Sequence, residues 1–286
     1  MKHRKERLSK TSTMHLVKLI ARSILFVTAS VLYLVNLKGN EDKLFGGFHD
    51  YKWFLCLLAA ILLIETVLRL FPTKTESMGC RKHLKKNYRP TGVTEPMLPS
   101  WKRTFAVAFC WIAANAVFGV LYYMNVIDAG VLVLISLAYS VGDMVCILFF
   151  CPFQTIFLKN KCCNSCRIYN WDFPMMATPL IFIPHLFAGV LVVLSLVVLA
   201  CWEIPLRRHP ERFSERTNAC LSCENCEEKL CHHKKQLGYF WKTNKSWFNA
   251  RKVEIIDTVK EKRSSRKTSL GTLYPHSLLC KEVCLL

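Results

Sequence analysis

Val131-Leu-Val-Leu-Ile-Ser-Leu-Ala-Tyr-Ser-Val-Gly-Asp-Met-Val-Cys-Ile-Leu-Phe-Phe150 carries one charged residue, Asp143, in an otherwise apolar run. At about 1.5 Å of rise per helical residue, a run of that length spans the roughly 30 Å hydrocarbon core of a bilayer. Residues 14–37, 51–71, 104–124 and 178–202 read the same way. Hydrophobic residues make up 52% of the 286-residue chain and the mean hydropathy is +0.23, above what a soluble domain of this size carries. The expected fold is therefore all-α: a polytopic membrane helix bundle of about five spans with a cysteine-rich C-terminal tail.

The first span is the least regular. Lys18 and Arg22 fall in its opening turns, its fully apolar part starts near Ser23, and its start is expected partly in the interface. The basic start Met1-Lys-His-Arg-Lys-Glu-Arg7 resembles a signal peptide, but no small-residue cleavage site closes the run, and Val31-Leu-Tyr-Leu-Val-Asn36 is bulky. It reads as an uncleaved anchor. Tyr51, Trp53, Trp101, Tyr122, Tyr123 and Trp202 stand near span ends, where amphipathic rings favour the headgroup zone.

A net charge of +19 would suggest nucleic acid in a soluble protein. In a membrane protein it points instead to basic loops against anionic lipid, and no nucleic-acid partner is expected. Lys and Arg are retained in the cytoplasm, so their distribution predicts topology. Residues 1–18 hold 6, 72–103 hold 8 and 151–177 hold 3, whereas the alternate loops 38–50 and 125–130 hold 2 and 0. This places the N-terminus in the cytoplasm of a multi-pass cell-membrane protein. Five spans then leave the tail outside, although residues 203–286 hold 17 Lys and Arg. Either the tail crosses despite its charge, or one of the last three segments fails to span and has its irregular backbone shielded by protein.

The domain division expected is a transmembrane domain over 1–206 that includes a cysteine-rich loop at 151–177, a cysteine-rich metal-binding segment at 207–240, and a basic tail at 241–286. Fifteen cysteines are present, nine of them in two stretches. The first stretch contains Cys146, Cys151, Cys162, Cys163 and Cys166, and the second contains Cys220, Cys223, Cys226 and Cys231. The second has the spacing C-x2-C-x2-C-x4-C, which resembles the bacterial ferredoxin run C-x2-C-x2-C-x3-C-P. The last gap is one residue longer and no proline follows Cys231, so Cys231 is the least secure ligand. Cys163-x2-Cys166 beside Cys162 is a second metal-type spacing. With Cys223 and Cys226 it would complete a four-thiolate site if the two stretches share a side, and His232 or His233 would substitute for a cysteine. The cofactor expected is an iron-sulfur cluster, with zinc as the alternative, and the metal ligands are Cys162, Cys163, Cys166, Cys220, Cys223, Cys226 and Cys231.

The function expected on this basis is a membrane redox protein that passes electrons to a membrane protein partner or senses redox state. The alternatives are a zinc-stabilised scaffold or transporter subunit, and a thiol-disulfide oxidoreductase using Cys163 and Cys166. Cys56, Cys110 and Cys201 read as small hydrophobes at or within spans. Asp143 is a candidate proton site or packing group, with Cys146 one turn later on the same helical face. Glu65 and Arg69 have the spacing of a helical ion pair, Asn115 is expected to bond a neighbouring helix, and His185 is the one histidine placed deep in a span. No phosphate-binding G-x-x-x-x-G-K, dinucleotide G-x-G-x-x-G, H-E-x-x-H or G-x-S-x-G motif occurs.

Overall fold

Long apolar runs without internal proline become helices, and their bounds follow local capping chemistry. The computed structural model describes residues 10–36, 52–73, 76–158, 164–222 and 225. Among these, seven α-helices follow one another: α1 (Lys10–Asn36), α2 (Lys52–Leu70), α3 (Met78–Arg81), α4 (Trp101–Tyr123), α5 (Ala129–Leu148), α6 (Asp172–Ala177) and α7 (Leu186–Arg208). The five longer ones, α1, α2, α4, α5 and α7, are long and apolar enough to cross a membrane. The chain divides into two compact units, Met1–Lys234 and Lys235–Leu286. The second lies outside the described residues, as do Cys162, Cys163, Cys223, Cys226 and Cys231.

At the end of α4, Asn125 adopts φ 57° and the chain closes with Val126 N–H on Leu121 O (2.9 Å) and Asn125 N–H on Tyr122 O (3.0 Å). Asparagine tolerates this left-handed cap better than a branched residue would. Asp128 then caps α5 by accepting from Val131 N–H at 2.9 Å, and the same oxygen accepts from the Tyr33 hydroxyl of α1 at 2.9 Å. Large apolar side chains such as Ile24, Val31, Phe109, Ile112 and Leu196 point outward from the bundle. A soluble protein does not expose them in such numbers, and lipid is the solvent that accepts them.

The order of contacts along the bundle fixes which ends lie together. Lys18 of α1 meets Glu76 just after α2, and Arg22 meets Glu65 of α2 and Asp143 near the end of α5, so these termini share one end, called here the N-terminal end. Tyr33 and Asp128 mark the opposite end. After α5 a π-helical stretch, Phe153–Leu158, and the 164–171 segment remain at the N-terminal end, where Arg167 and Trp171 engage Glu203 of α7.

The segment from α6 onward then crosses the bundle without forming a long helix. Asp172 pairs with Arg69 at the N-terminal end. Met176 O accepts from Ser136 Oγ at 2.7 Å, and Thr178 Oγ1 accepts from Trp111 Nε1 at 3.2 Å, both at mid-depth. Leu180 and Ile183 finally pack on Ala129 and Leu132 at the opposite end. Six residues of α6 and five of a 3-10 helix, Thr178–Phe182, advance about 19 Å at about 1.5 and 2.0 Å per residue. The extended residues that follow add up to about 10 Å.

Pro179 and Pro184 break the long helix expected over 178–202, so α7 starts only at Leu186. His185 becomes the exposed N-cap residue of α7, stacked on Phe187, and is not deep in a span. Irregular backbone at this depth needs protein around it. Phe173, Met176, Ala177, Pro179 and Leu180 are buried, and Gly119 of α4 admits the Phe182 ring where any Cβ would sit within 2.4 Å of it.

The broken crossing changes the parity. α7 returns the chain to the N-terminal end, where Trp202 and Leu206 pack with Phe213. The first tail residues are locked onto the segment after α2. Ala219 N–H donates to Arg89 O at 2.9 Å, Thr91 N–H to Thr217 O at 3.3 Å, Met97 N–H to Ser214 Oγ at 2.9 Å, and Asn218 bridges Pro90. The charge conflict raised by five spans is thereby removed. Neither expected alternative accounts for it: an additional, broken crossing does.

Maleimide labelling checks this. In a protein whose exposed native cysteines have been replaced, Glu95→Cys and Glu215→Cys should be modified from the same side of sealed vesicles and Val126→Cys from the other. Labelling of Glu215→Cys together with Val126→Cys would restore the five-crossing topology.

Candidate functional site

Three helices bring charges to one level of the bundle. His15, Lys18 and Arg22 form a stripe on α1, Glu65 and Arg69 lie one turn apart on α2, and Asp143 lies near the end of α5. Glu65 and Arg69 do not pair with each other, as their spacing predicts. Arg22 takes Glu65 at 2.9 Å, the Ser140 carbonyl at 3.1 Å and Asp143 at 3.5 Å. Arg69 takes Asp172 at 2.8 Å, Asn170 at 3.1 Å and Glu76 at 3.1 Å, with its guanidinium also over the Phe173 ring. Lys18 completes the layer on Glu76 at 2.8 Å. Arg22 is therefore buried inside the bundle, whereas Lys18 stays partly exposed at its edge.

Opposite charges removed from water stabilise a fold only when geometry and further hydrogen bonds satisfy them. The planar guanidinium of Arg69 reaches three acceptors on two segments and so joins α2 to the Glu76 turn and to the start of α6. Burial alone would raise the Glu76 carboxyl, but Arg69 and Lys18 outweigh it and hold the group below the usual carboxylate range. Several atoms in the layer have no hydrogen-bond partner: both ring nitrogens of His15, Nε of Arg22, Nε of Arg69 and Oδ1 of Asp172. His15 is 2% exposed.

Beside this layer a cavity of about 190 Å³ lies between α4, α5, residues 151–154 and 166–169, and α6. A water molecule's share of liquid volume is about 30 Å³, so there is room for a small organic molecule. Asp143 and Asp172 stand on its wall and interact electrostatically. The rest is mostly apolar, with Trp111, Tyr139, Phe153 and Tyr169 supplying rings. Trp111 meets Tyr139 at a tilt (4.5 Å between ring centres) and Phe153 edge-on (5.9 Å), and Tyr139 donates to Asn115 at 3.4 Å, the inter-helix bond expected of that asparagine.

Of the expected metal ligands, Cys166 is buried on the cavity wall, close to Cys146 and Cys151 in the lining. Its backbone is pinned by Lys82, whose ammonium donates to Cys166 O at 2.9 Å and Asn164 O at 2.8 Å and lies over Trp202 and Phe213. Cys220 is half-buried in the turn Ala219–Leu221, with its amide on Asn218 Oδ1 at 3.1 Å. Cys166 and Cys220, the two of these ligands among the described residues, thus lie at the same end of the bundle. Among the described residues no three His, Cys, Asp or Glu side chains converge on a metal-sized position.

Cys80, which the spacing argument passes over, is fully buried against Ser77 Oγ at 3.3 Å, and burial pushes its thiol up to about 12. Burial likewise lowers the neighbouring His83 imidazole.

His15, Glu76 and Asp172 escape a reading by sequence. The available signal was Lys18 and Arg22 in an apolar segment, since buried cations require partners elsewhere in the chain. No protein family matches the chain, and neither the curated proteins nor the solved structures contain a match to it.

The site therefore rests on its own geometry, and Arg69 is its central tie. Arg69→Met should destabilise the folded protein by about 3 kcal/mol or more, because it leaves Asp172 buried without its cation and removes one of the two that Glu76 has. Thermal unfolding in detergent measures this, and a shift no larger than that of Arg212→Met would reject the role.

Proposed function

We propose that this protein binds a small organic cation in the cavity between α4, α5 and α6 and carries it across the membrane. The observation that supports this reading is the pair of acids on the cavity wall: Asp172, held by Arg69 at 2.8 Å, and Asp143, whose ion pair with Arg22 is a loose 3.5 Å and whose side chain keeps 17% exposure. A carboxylate with only a loose ion pair on a cavity wall calls for a further cation, and an ammonium supplies both hydrogen bond and charge. The rings of Trp111, Tyr139, Phe153 and Tyr169 suit the apolar body of such a molecule and attract its charge through their faces. Transport is favoured over binding alone because Asp172, Met175 and Met176 belong to the broken crossing. Discontinuous membrane helices are a recurrent way of building substrate sites at membrane depth.

The orientation follows from charge. Lys85, Lys86, Arg89, Lys102, Arg103, Arg207, Arg208 and Arg216 lie at the N-terminal end, and the turn 125–130 opposite has no basic residue. This supports a cytoplasmic N-terminal end in the cell membrane, with its basic loops against anionic lipid.

Benzylammonium and neutral benzyl alcohol distinguish charge recognition from simple filling of an apolar hole. Benzylammonium should raise the melting temperature of the protein in nanodiscs and benzyl alcohol should not. Asp172→Asn should weaken the cation at least about tenfold, or about 1.4 kcal/mol. Equal stabilisation by both compounds would sink this reading.

A second reading rests on the spacing of the two cysteine stretches and on Cys166 and Cys220 lying at one end of the bundle. Cys162, Cys163, Cys166, Cys220, Cys223, Cys226 and Cys231 would then serve an iron-sulfur cluster, or zinc, on the cytoplasmic face, for electron transfer to a membrane partner or redox sensing. Anaerobically purified protein should be brown, with iron and acid-labile sulfide near stoichiometric. Colourless, metal-free protein would remove this second reading and leave the first intact.

A further inference from the structure

Positive charge gathers without a counter-charge where α4 begins and α7 ends. The two ends touch: the Arg207 guanidinium lies 6.0 Å from the centre of the Trp101 ring, and Leu98 packs against Trp202, Leu206 and Phe213. Lys102 and Arg103 of α4 and Arg207 and Arg208 of α7 are all exposed there. Among the described residues no carboxylate pairs with any of them. Glu203, one turn before Arg207, has the spacing of its helical partner but is already taken. Its Oε2 accepts from Arg167 at 2.7 Å, and its Oε1 accepts from Arg167 and, at 2.9 Å, from Trp171 Nε1. Lys102 and Arg103 also stand in the first turn of α4, which holds no acid and has no side chain capping its amides, so they meet the positive end of the helix dipole. Like charges in this arrangement repel one another, and a bound anion removes the conflict.

Beyond the cations, toward the middle of the bundle, both helices are apolar and uncovered. On α4, Phe105 and Phe109 follow Lys102 at helical spacing, and on α7, Ile204 and Val197 precede Arg208 at helical spacing; all four are exposed. Both helices are long and apolar enough to cross a membrane, and the exposed Trp101 marks the level of the headgroups. Charge at that level and an apolar bed beneath it match the two halves of a phospholipid.

We propose that the junction of α4 and α7 binds one phospholipid whose headgroup bears more than one phosphate. A single phosphodiester would leave most of the positive charge unmet, whereas several phosphates answer it. Arg103, Arg207 and Arg208 each present the paired donors that match phosphate oxygens. The acyl chains lie along Phe105 and Phe109 on α4 and along Ile204 and Val197 on α7. This goes beyond the general pull of basic loops toward an anionic surface, since it names one site and one headgroup class, and it is independent of what the cavity binds.

Native mass spectrometry of the whole protein in neutral detergent, titrated with phosphatidylinositol bisphosphate, tests this. One lipid should bind at least about tenfold more tightly than phosphatidylserine, and Lys102→Gln combined with Arg208→Gln should weaken it at least about tenfold. Lys85→Gln combined with Lys86→Gln removes the same charge from the same end of the bundle and should leave the affinity within about twofold. All four positions are exposed, so both double variants should melt with the unaltered protein. The water-soluble headgroup, inositol trisphosphate, should bind at least about tenfold more weakly than the intact lipid, because it leaves the apolar bed unused. Equal losses in the two double variants, or equal binding of phosphatidylserine, would show diffuse attraction and overturn the site. Equal binding of the free headgroup would overturn the lipid assignment in favour of a soluble polyphosphate.

Discussion

Charges taken into an apolar bundle must find opposite charges there, and that requirement organises this protein. Arg22 and Arg69 enter with α1 and α2, and their partners come from α5, α6 and the turn after α2. Elsewhere the helices meet through apolar side chains, which discriminate poorly between one partner and another, least of all where lipid is as apolar as the helix surface. The ion pairs do discriminate. A guanidinium misplaced by one helical turn would be buried without its carboxylates, so the layer sets both the depth and the rotation of α1 and α2 against α5.

The same layer anchors the broken crossing. Asp172, on Arg69, starts it at one end, and the hydrogen bond from Ser136 and the seat of Phe182 on Gly119 carry it to the other. Because two prolines deny this segment a long helix, its backbone is exposed to neighbouring side chains, and a cavity forms where a continuous helix would have packed. The tail returns to the end where the chain began, and its first residues close over the turn after α2. Burial of Lys82 between two carbonyls and two rings completes that seam. Function, in this reading, lies where the charge layer and the break in the helix meet.

Much of this was legible in the sequence and some was not. The five long helices follow from apolar runs, because span length depends only on bilayer thickness and helical rise. Asp143 stood out for the same reason: a lone acid in such a run is visible without any fold. The basic tail conflicted with five crossings, but the sequence offered only an external tail or a failed span to resolve it. Asp172, by contrast, reads as the end of a polar loop, and Glu76 as one more charge after a span. Their importance depends on which residue of another helix lies opposite, and periodicity does not contain that. Glu65 and Arg69 show the limit most clearly, since correct local spacing predicted a pair that stronger distant partners replaced.

The sequence by itself determined a membrane helix bundle, its approximate spans, the bias of basic residues and the presence of an acid within a span. These follow from hydrophobicity and charge summed along the chain, which need no knowledge of neighbours. Tertiary structure alone decided that residues 172–185 cross without a long helix, that Cys166 and Cys220 lie at one end, and that four carboxylates meet three cations beside a cavity. Each of these is a matter of which distant residues share a place, and burial makes that choice by leaving no charge unpaired at a tolerable energy.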